Sequence, residues 1–246
     1  MNKEREKLII EKLVKEKTVY VKELAKEIYA SEPSIRRDLI SLEKQGLLKR
    51  IYGGAILEET NASRMKIPFL LRELEQTNEK MIMAKKAAEL VKDGYTIMLD
   101  GSSSAYNIIP FLTSYSNLTI ITNGIKALTR AGELGINIYS TGGYLLPSCL
   151  SLVGAEAHKT INSFNADICF FSCRGLSQDG LLTDISIEED VARQQMLSRS
   201  KKRVFLCGSK KVGKEYMHTI CSVNDIDYII SDDKLPYSLS SKEYIL

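Results

Sequence analysis

Arg36 and Arg37 follow Ser31-Glu32-Pro33-Ser34-Ile35, and guanidinium groups near the start of a short helix can hold phosphates or pair bidentately with guanine edges. Ser31 is placed to cap that helix, and Pro33 is tolerated because it falls in the first turn. Ile35, Leu39 and Leu42 make one apolar stripe, so at about 100° per residue Pro33, Arg36, Arg37, Ile40, Ser41 and Lys44 turn away from the core. The segment Leu48-Lys49-Arg50-Ile51-Tyr52 then alternates into a Gly53-Gly54 turn and a return run Ala55-Ile56-Leu57, the pattern of a two-stranded basic wing. Candidate DNA contacts are therefore Ser31, Pro33, Ser34, Arg36, Arg37, Lys44, Lys49, Arg50 and Tyr52.

A second group of residues suits an anionic small molecule. It comprises Asp100-Gly101-Ser102-Ser103-Ser104, Thr122-Asn123-Gly124, Thr141-Gly142-Gly143, Ser172-Cys173-Arg174-Gly175 and Gly208-Ser209-Lys210-Lys211. Small residues let backbone N–H groups approach a ligand, and serine and threonine hydroxyls add further donors. Each run follows a short apolar segment of β character: 96–99, 118–121, 136–139, 168–171 and 204–206, with another such segment at 228–230. Most of these are separated by stretches of helical length, which argues for a mainly parallel sheet with helices on both faces and ligands at the strands' carboxyl ends.

The elements that must position the arginines lie in the first quarter of the chain. Ile9, Ile10, Leu13 and Val14 form one helical stripe, and Val21, Leu24, Ala25 and Ile28 form another. Between them, Lys17-Thr18-Val19-Tyr20 reads as no more than a connection. Residues 1–57 hold 13 basic against 9 acidic side chains, while the rest hold 21 against 22, so all of the net charge of +3 sits in the small N-terminal part. A DNA-binding module over 1–57, a polar linker or strap over 58–75 and a larger α/β domain over 76–246 follow from these shifts. Helical character is expected again from Leu70 to Val91.

Composition narrows the class further. No apolar run reaches the ~20 residues of a membrane span, and the charged start Met1-Asn2-Lys3-Glu4-Arg5-Glu6 has no signal-peptide core behind it, so a cytoplasmic protein with no membrane partner is expected. The five cysteines have no second close pair and no nearby histidine, which predicts buried reduced thiols and no metal site.

From Ser31 to Leu39, through Leu42-Glu43, and from Gly46 to Ala55, the chain resembles the winged helix-turn-helix of the DeoR family of bacterial transcription regulators. The strand-end loops extend the resemblance to that family's effector domain, which is similar in fold to ribose-5-phosphate isomerase. The resemblance implies a sugar-phosphate effector, with Asp100, Gly101, Ser102, Ser103 and Ser104 holding the phosphate beside Thr122, Asn123 and Gly124. It further implies that Gly142, Gly143, Arg174, Gly175, Glu189 and Lys211 line the remaining pocket. One departure stands out: Gly208-Ser209-Lys210-Lys211 replaces the family's Asp-x-Ser-Lys pattern.

An isomerase-like enzyme with an accessory module is the competing reading, since Glu189, Asp184 and Lys211 are the residue types that aldose-ketose isomerisation needs. The missing acid at 208, and the absence of any Walker, HExxH or Ser-His-Asp constellation, weigh against catalysis. His158 and His218 read as isolated. The expectation is thus a transcriptional repressor of sugar metabolism genes, without catalytic residues or cofactor, binding operator DNA as a homodimer or homotetramer.

Overall fold

The computed structural model describes residues 2–57, 68–235 and 243–245, and the chain divides into two compact units, 1–75 and 76–246. The first unit contains α1 (Asn2–Glu16), β1 (Thr18–Tyr20), α2 (Val21–Glu27), α3 (Glu32–Lys44), β2 (Lys49–Ile51), β3 (Gly54–Ile56) and α4 (Phe69–Leu74). Its core gathers the expected stripes, with Ile9, Leu13, Leu24, Ile35, Leu39 and Leu42 all buried. Buried Asp38 on α3 accepts from Arg5 on α1, including one bond of 3.0 Å from Nη2, so an ion pair ties the first helix to the third.

Two expectations change here. Thr18–Tyr20 is a strand that pairs antiparallel with β3, and the wing is a three-stranded sheet in the order β1-β3-β2. Three residues carry little periodicity of their own; pairing with partners 34 to 38 positions later, from Tyr20 against Gly54 to Thr18 against Ile56, is what makes them a strand. Gly54 is required at that contact, because a Cβ there would lie 2.1 Å from the Val19 carbonyl oxygen. The strap expected over 58–75 lies outside the described residues from 58 to 67. Over its remainder Phe69–Leu74 form α4, and Leu71 is buried in the first unit's core.

The second unit runs α5 (Thr77–Ala88), β4 (Thr96–Leu99), α6 (Ser103–Tyr106), β5 (Thr119–Thr122), α7 (Ile125–Glu133), β6 (Asn137–Ser140), β7 (Tyr144–Leu146), β8 (Ser151–Val153) and α8 (Ala155–Asn162). It continues with β9 (Ala166–Phe171), β10 (Gly175–Leu176), β11 (Leu181–Asp184), α9 (Ile187–Ser198), β12 (Ser200–Cys207), β13 (His218–Ser222), β14 (Tyr228–Ser231) and β15 (Glu243–Ile245). Seven strands form one parallel sheet in the order β15-β14-β12-β9-β4-β5-β6. Alternation along each strand sends Ile97, Leu99, Ile168 and Phe170 to one face, covered by α5 and α7, and Met98, Cys169 and Phe171 to the other, covered by α8 and α9. Short antiparallel pieces, β7-β8 and β10-β11-β13, were not anticipated; their two to five residues leave too short a pattern to read. The cysteines are free thiols, four buried and Cys221 half-buried.

Chain order along the sheet reverses between β4 and β9, since β5 and β6 build outward on one side and β12, β14 and β15 on the other. The loops after β4 and β9 therefore open a crevice at the carboxyl edge, the place where doubly wound sheets bind ligands.

Candidate functional site

On the first unit, Ser31 caps α3 by accepting from the Ser34 N–H at 3.4 Å, and Pro33 occupies the first turn. Pro33, Arg36, Arg37, Ile40 and Lys44 are exposed along one side of α3, and Ser41 is half-buried. Arg36 is held only loosely by Glu32, at 3.5 Å, while Arg37 donates to the Pro33 carbonyl at 3.4 Å and to Ser34 Oγ at 3.3 Å. Both guanidinium groups thus lie on the exposed side of the first turns of α3. Arg50 has a further job: its Nε pairs with Glu43 at 2.6 Å and its N–H donates to the same carboxylate at 2.9 Å, which ties β2 to α3. That pairing holds the Glu43 carboxyl below its ordinary range. Tyr52 at the wing tip is fully exposed, as is Tyr29 in the turn before α3, and Lys49 on β2 is exposed too.

In the second unit the candidate ligand residues fall into two sets. Asp100, Gly101, Ser102, Ser103, Ser104, Thr122, Asn123, Gly124 and Glu189 are buried together around the β4 and β5 ends. Ser102 caps α6 by accepting from the Ala105 N–H at 3.1 Å. Thr122 Oγ1 donates to the Leu99 carbonyl at 2.8 Å and accepts from the Gly124 N–H at 3.0 Å, which locks two adjacent loops to each other. Gly101 is pressed against β8, where a Cβ would come within 2.5 Å of Ser151 Oγ. Lys211, following β12, reaches across to donate to Ser172 Oγ at 2.5 Å. By contrast, Gly142 and Gly143 sit at the end of β6, where Gly143 packs on Val153 and Ala157, and Gly175 lies in β10 against the Lys214 carbonyl. Close backbone approach requires Gly143 and Gly175, whereas Gly142 has open space around it and a positive φ of 64°.

The centre of the crevice is a residue that no motif singled out. Arg193 on α9 is buried and faces four carboxylates: Asp190 at 2.6 Å, Asp100 at 2.9 Å, Asp184 at 3.1 Å and Glu189 at 3.9 Å. Burial alone would lower the Arg193 pKa, but Asp184, Asp100, Glu189 and Asp190 raise it well above the ordinary value and keep it charged. Asp100 is itself fully engaged, since it also accepts from the Ser102 N–H at 3.2 Å and the Ser172 N–H at 3.3 Å. It orders two strand-end loops by joining them to one cation. Arg174 stands 4.0 Å from Asp184 and over the Tyr216 ring. The sequence signal was present in the run Glu188-Glu189-Asp190…Arg193, whose i,i+3 and i,i+4 spacing puts acids and arginine on one helix face.

His218 is not isolated: its Nδ1 lies 2.8 Å from Asp190 Oδ2. Burial pushes the Asp190 carboxyl up to about 6, against the pull of Arg193 and His218. A carboxyl whose folded value exceeds its unfolded 3.8 stabilises the fold at low pH and loses that contribution as pH climbs through about 6. The stability of the wild type relative to Asp190→Asn should therefore fall between about pH 4 and pH 7, by about 3 kcal/mol. Urea unfolding at each pH measures it, and a difference that stays flat would remove the shifted Asp190 from the account.

The departure at 208 also has a structural counterpart. Gly208 leads into a tight turn, Ser209–Lys211, which Asp232 holds from the end of β14 by accepting from the Ser209 N–H at 2.6 Å and from Ser209 Oγ at 3.1 Å.

Known proteins resemble both halves of the chain. The profile of the DeoR-like helix-turn-helix domain matches residues 5–61, and that of the DeoR C terminal sensor domain matches residues 75–233. The HTH-type transcriptional regulator GolR of Listeria innocua is 33% identical over 97% of this chain and 94% of its own. The lactose phosphotransferase system repressor of Staphylococcus aureus is 30% identical over 94% of this chain and 93% of its own. Among solved structures, ribose 5-phosphate isomerase A from Methanocaldococcus jannaschii aligns with 56% of this chain and 55% of its own, at 18% identity and a TM-score of 0.43.

Proposed function

This chain belongs to the DeoR family of transcription regulators, and from that premise we propose that it represses sugar metabolism genes and is released from DNA by a phosphorylated sugar. It is a DNA-binding regulator rather than an enzyme. The observation that carries the reading is the convergence of loops from β4, β5, β9 and β12 on one buried crevice, in a chain whose first unit exposes Arg36 and Arg37 on a capped helix. Ser31, Pro33, Ser34, Arg36, Arg37, Lys44, Lys49 and Tyr52 form the DNA-facing set, with Arg50 bracing the wing. Asp100 to Ser104, Thr122 to Gly124, Glu189, Arg174 and Lys211 surround the effector, and Arg193 holds their loops in place.

The carboxylates that an isomerase would need as a base are committed elsewhere. Asp184 binds Arg193, and Glu189 accepts from Ser151 Oγ at 2.7 Å. Such a module is too small to specify an operator alone, so the protein acts in the cytoplasm as a homodimer or homotetramer reading repeated half-sites. No helix among the described residues is long and apolar enough to cross a membrane. The effector works through unequal affinity for DNA-competent and DNA-incompetent arrangements.

A thermal-shift panel of pentose and hexose phosphates, followed by operator release with each hit, tests the proposal. Stabilisation by a sugar phosphate together with loss of operator binding is the expected result. Turnover of that sugar phosphate by the purified protein, or a hit that leaves DNA affinity unmoved, would overturn it.

A further inference from the structure

We infer that Asn123 reads a hydroxyl of the effector, next to its phosphorylated carbon, and does not hold the phosphate itself. The inference rests on the strand-end crevice being a phosphorylated-sugar site, and it assigns one side chain there a role in choosing the ligand.

Asn123 is 2% exposed, and its Oδ1 meets no hydrogen-bond donor among the described residues. The orientation of the amide is set by its other end, where Nδ2 donates to the Leu152 carbonyl at 3.2 Å. Turning the amide over would set two carbonyl oxygens against each other. The backbone is pinned as well: the Leu152 N–H donates to the Asn123 carbonyl at 2.7 Å, and the Ile125 N–H to that of Leu150 at 2.9 Å.

Flanking hydroxyls cannot supply the missing proton. Thr122 Oγ1 gives its proton to the Leu99 carbonyl at 2.8 Å, and Ser151 Oγ gives its own to Glu189 at 2.7 Å. The direction of Oδ1 follows from Gly101, where a Cβ would stand 3.6 Å from it. Oδ1 is therefore aimed at the start of the Asp100–Ser104 loop. An amide oxygen only accepts, so it repels the oxygens of a phosphate, and a buried acceptor costs free energy until an O–H or N–H reaches it. A polyol phosphate such as glycerol 3-phosphate carries such an O–H on the carbon next to its phosphorylated carbon, three bonds from the ester oxygen. Asn123 thereby separates polyol phosphates from bare phosphate esters.

Binding of glycerol 3-phosphate, propyl phosphate and inorganic phosphate to the full chain tests this by calorimetric titration. The wild type should bind glycerol 3-phosphate at least about tenfold more tightly than propyl phosphate, and Asn123→Ala should bring the ratio within about twofold. Equal wild-type affinities for the two esters, or a ratio that survives Asn123→Ala, would overturn the inference. The wild-type ratio decides even where the variant fails to fold. If the wild type binds none of the three probes, the phosphate-site reading itself fails, and the inference with it.

Discussion

Arg193→Met unfolds the second unit at much lower denaturant than the wild type, with a loss of about 3–5 kcal/mol. The substitution keeps the volume of the side chain but leaves Asp100, Asp184, Asp190 and Glu189 buried without their shared cation. Removing one partner of a buried ion pair is far costlier than removing both, because the survivor keeps its full desolvation penalty. The chain has no tryptophan, so urea unfolding is followed by far-UV circular dichroism. Adding Asp184→Asn should cost less in the Met background than in the wild type, a coupling that a double-mutant cycle reads directly. A loss below about 1 kcal/mol for Arg193→Met would show that the four carboxylates do not depend on this guanidinium.

Arg36→Ala and Arg37→Ala each lower specific operator affinity about tenfold or more, and the double variant loses specific binding. Neither should move the melting temperature, because both side chains are exposed and Arg36 has only a 3.5 Å pair with Glu32, the kind of surface contact worth little to stability. Salt dependence separates their roles: losing a phosphate contact flattens the slope of log K against log salt by about one, while losing a base contact leaves the slope and relaxes sequence preference. An operator selected with the wild-type protein serves as the probe. Two single variants that bind it within twofold of the wild type would remove α3 from the DNA interface.

Helix α3 was legible because its signals are local. Ser31, Pro33 and the Ile35-Leu39-Leu42 stripe lie within twelve residues, and a cap and a helical period act over that range. Six of the seven parallel strands were legible for a similar reason, since each is a short apolar run followed by small polar residues; β15 was not read, because Glu243-Tyr244-Ile245 is no apolar run. The strand at Thr18–Tyr20 was hidden, because nothing within its three residues separates it from a loop; its pairing with Gly54–Ile56 does. Among the glycines, the sequence pattern could not show which positions a close backbone contact also demands. Gly143 and Gly175 meet neighbouring backbone too closely for any Cβ, and Gly142 stands in open space with φ at +64°.

Residue types and short spacings alone determined the Arg36-Arg37 face, the alternation of strands and helices, and the loops that end the strands, because each depends on neighbours three or four positions away. Only the tertiary structure decided what those loops surround. Asp100 meets Arg193 across 93 positions and Ser151 meets Glu189 across 38, contacts set by the order of strands in the sheet and the packing of α9 on its face. A charge hub of that kind forms when distant segments are buried together, and burial is a property of the whole fold.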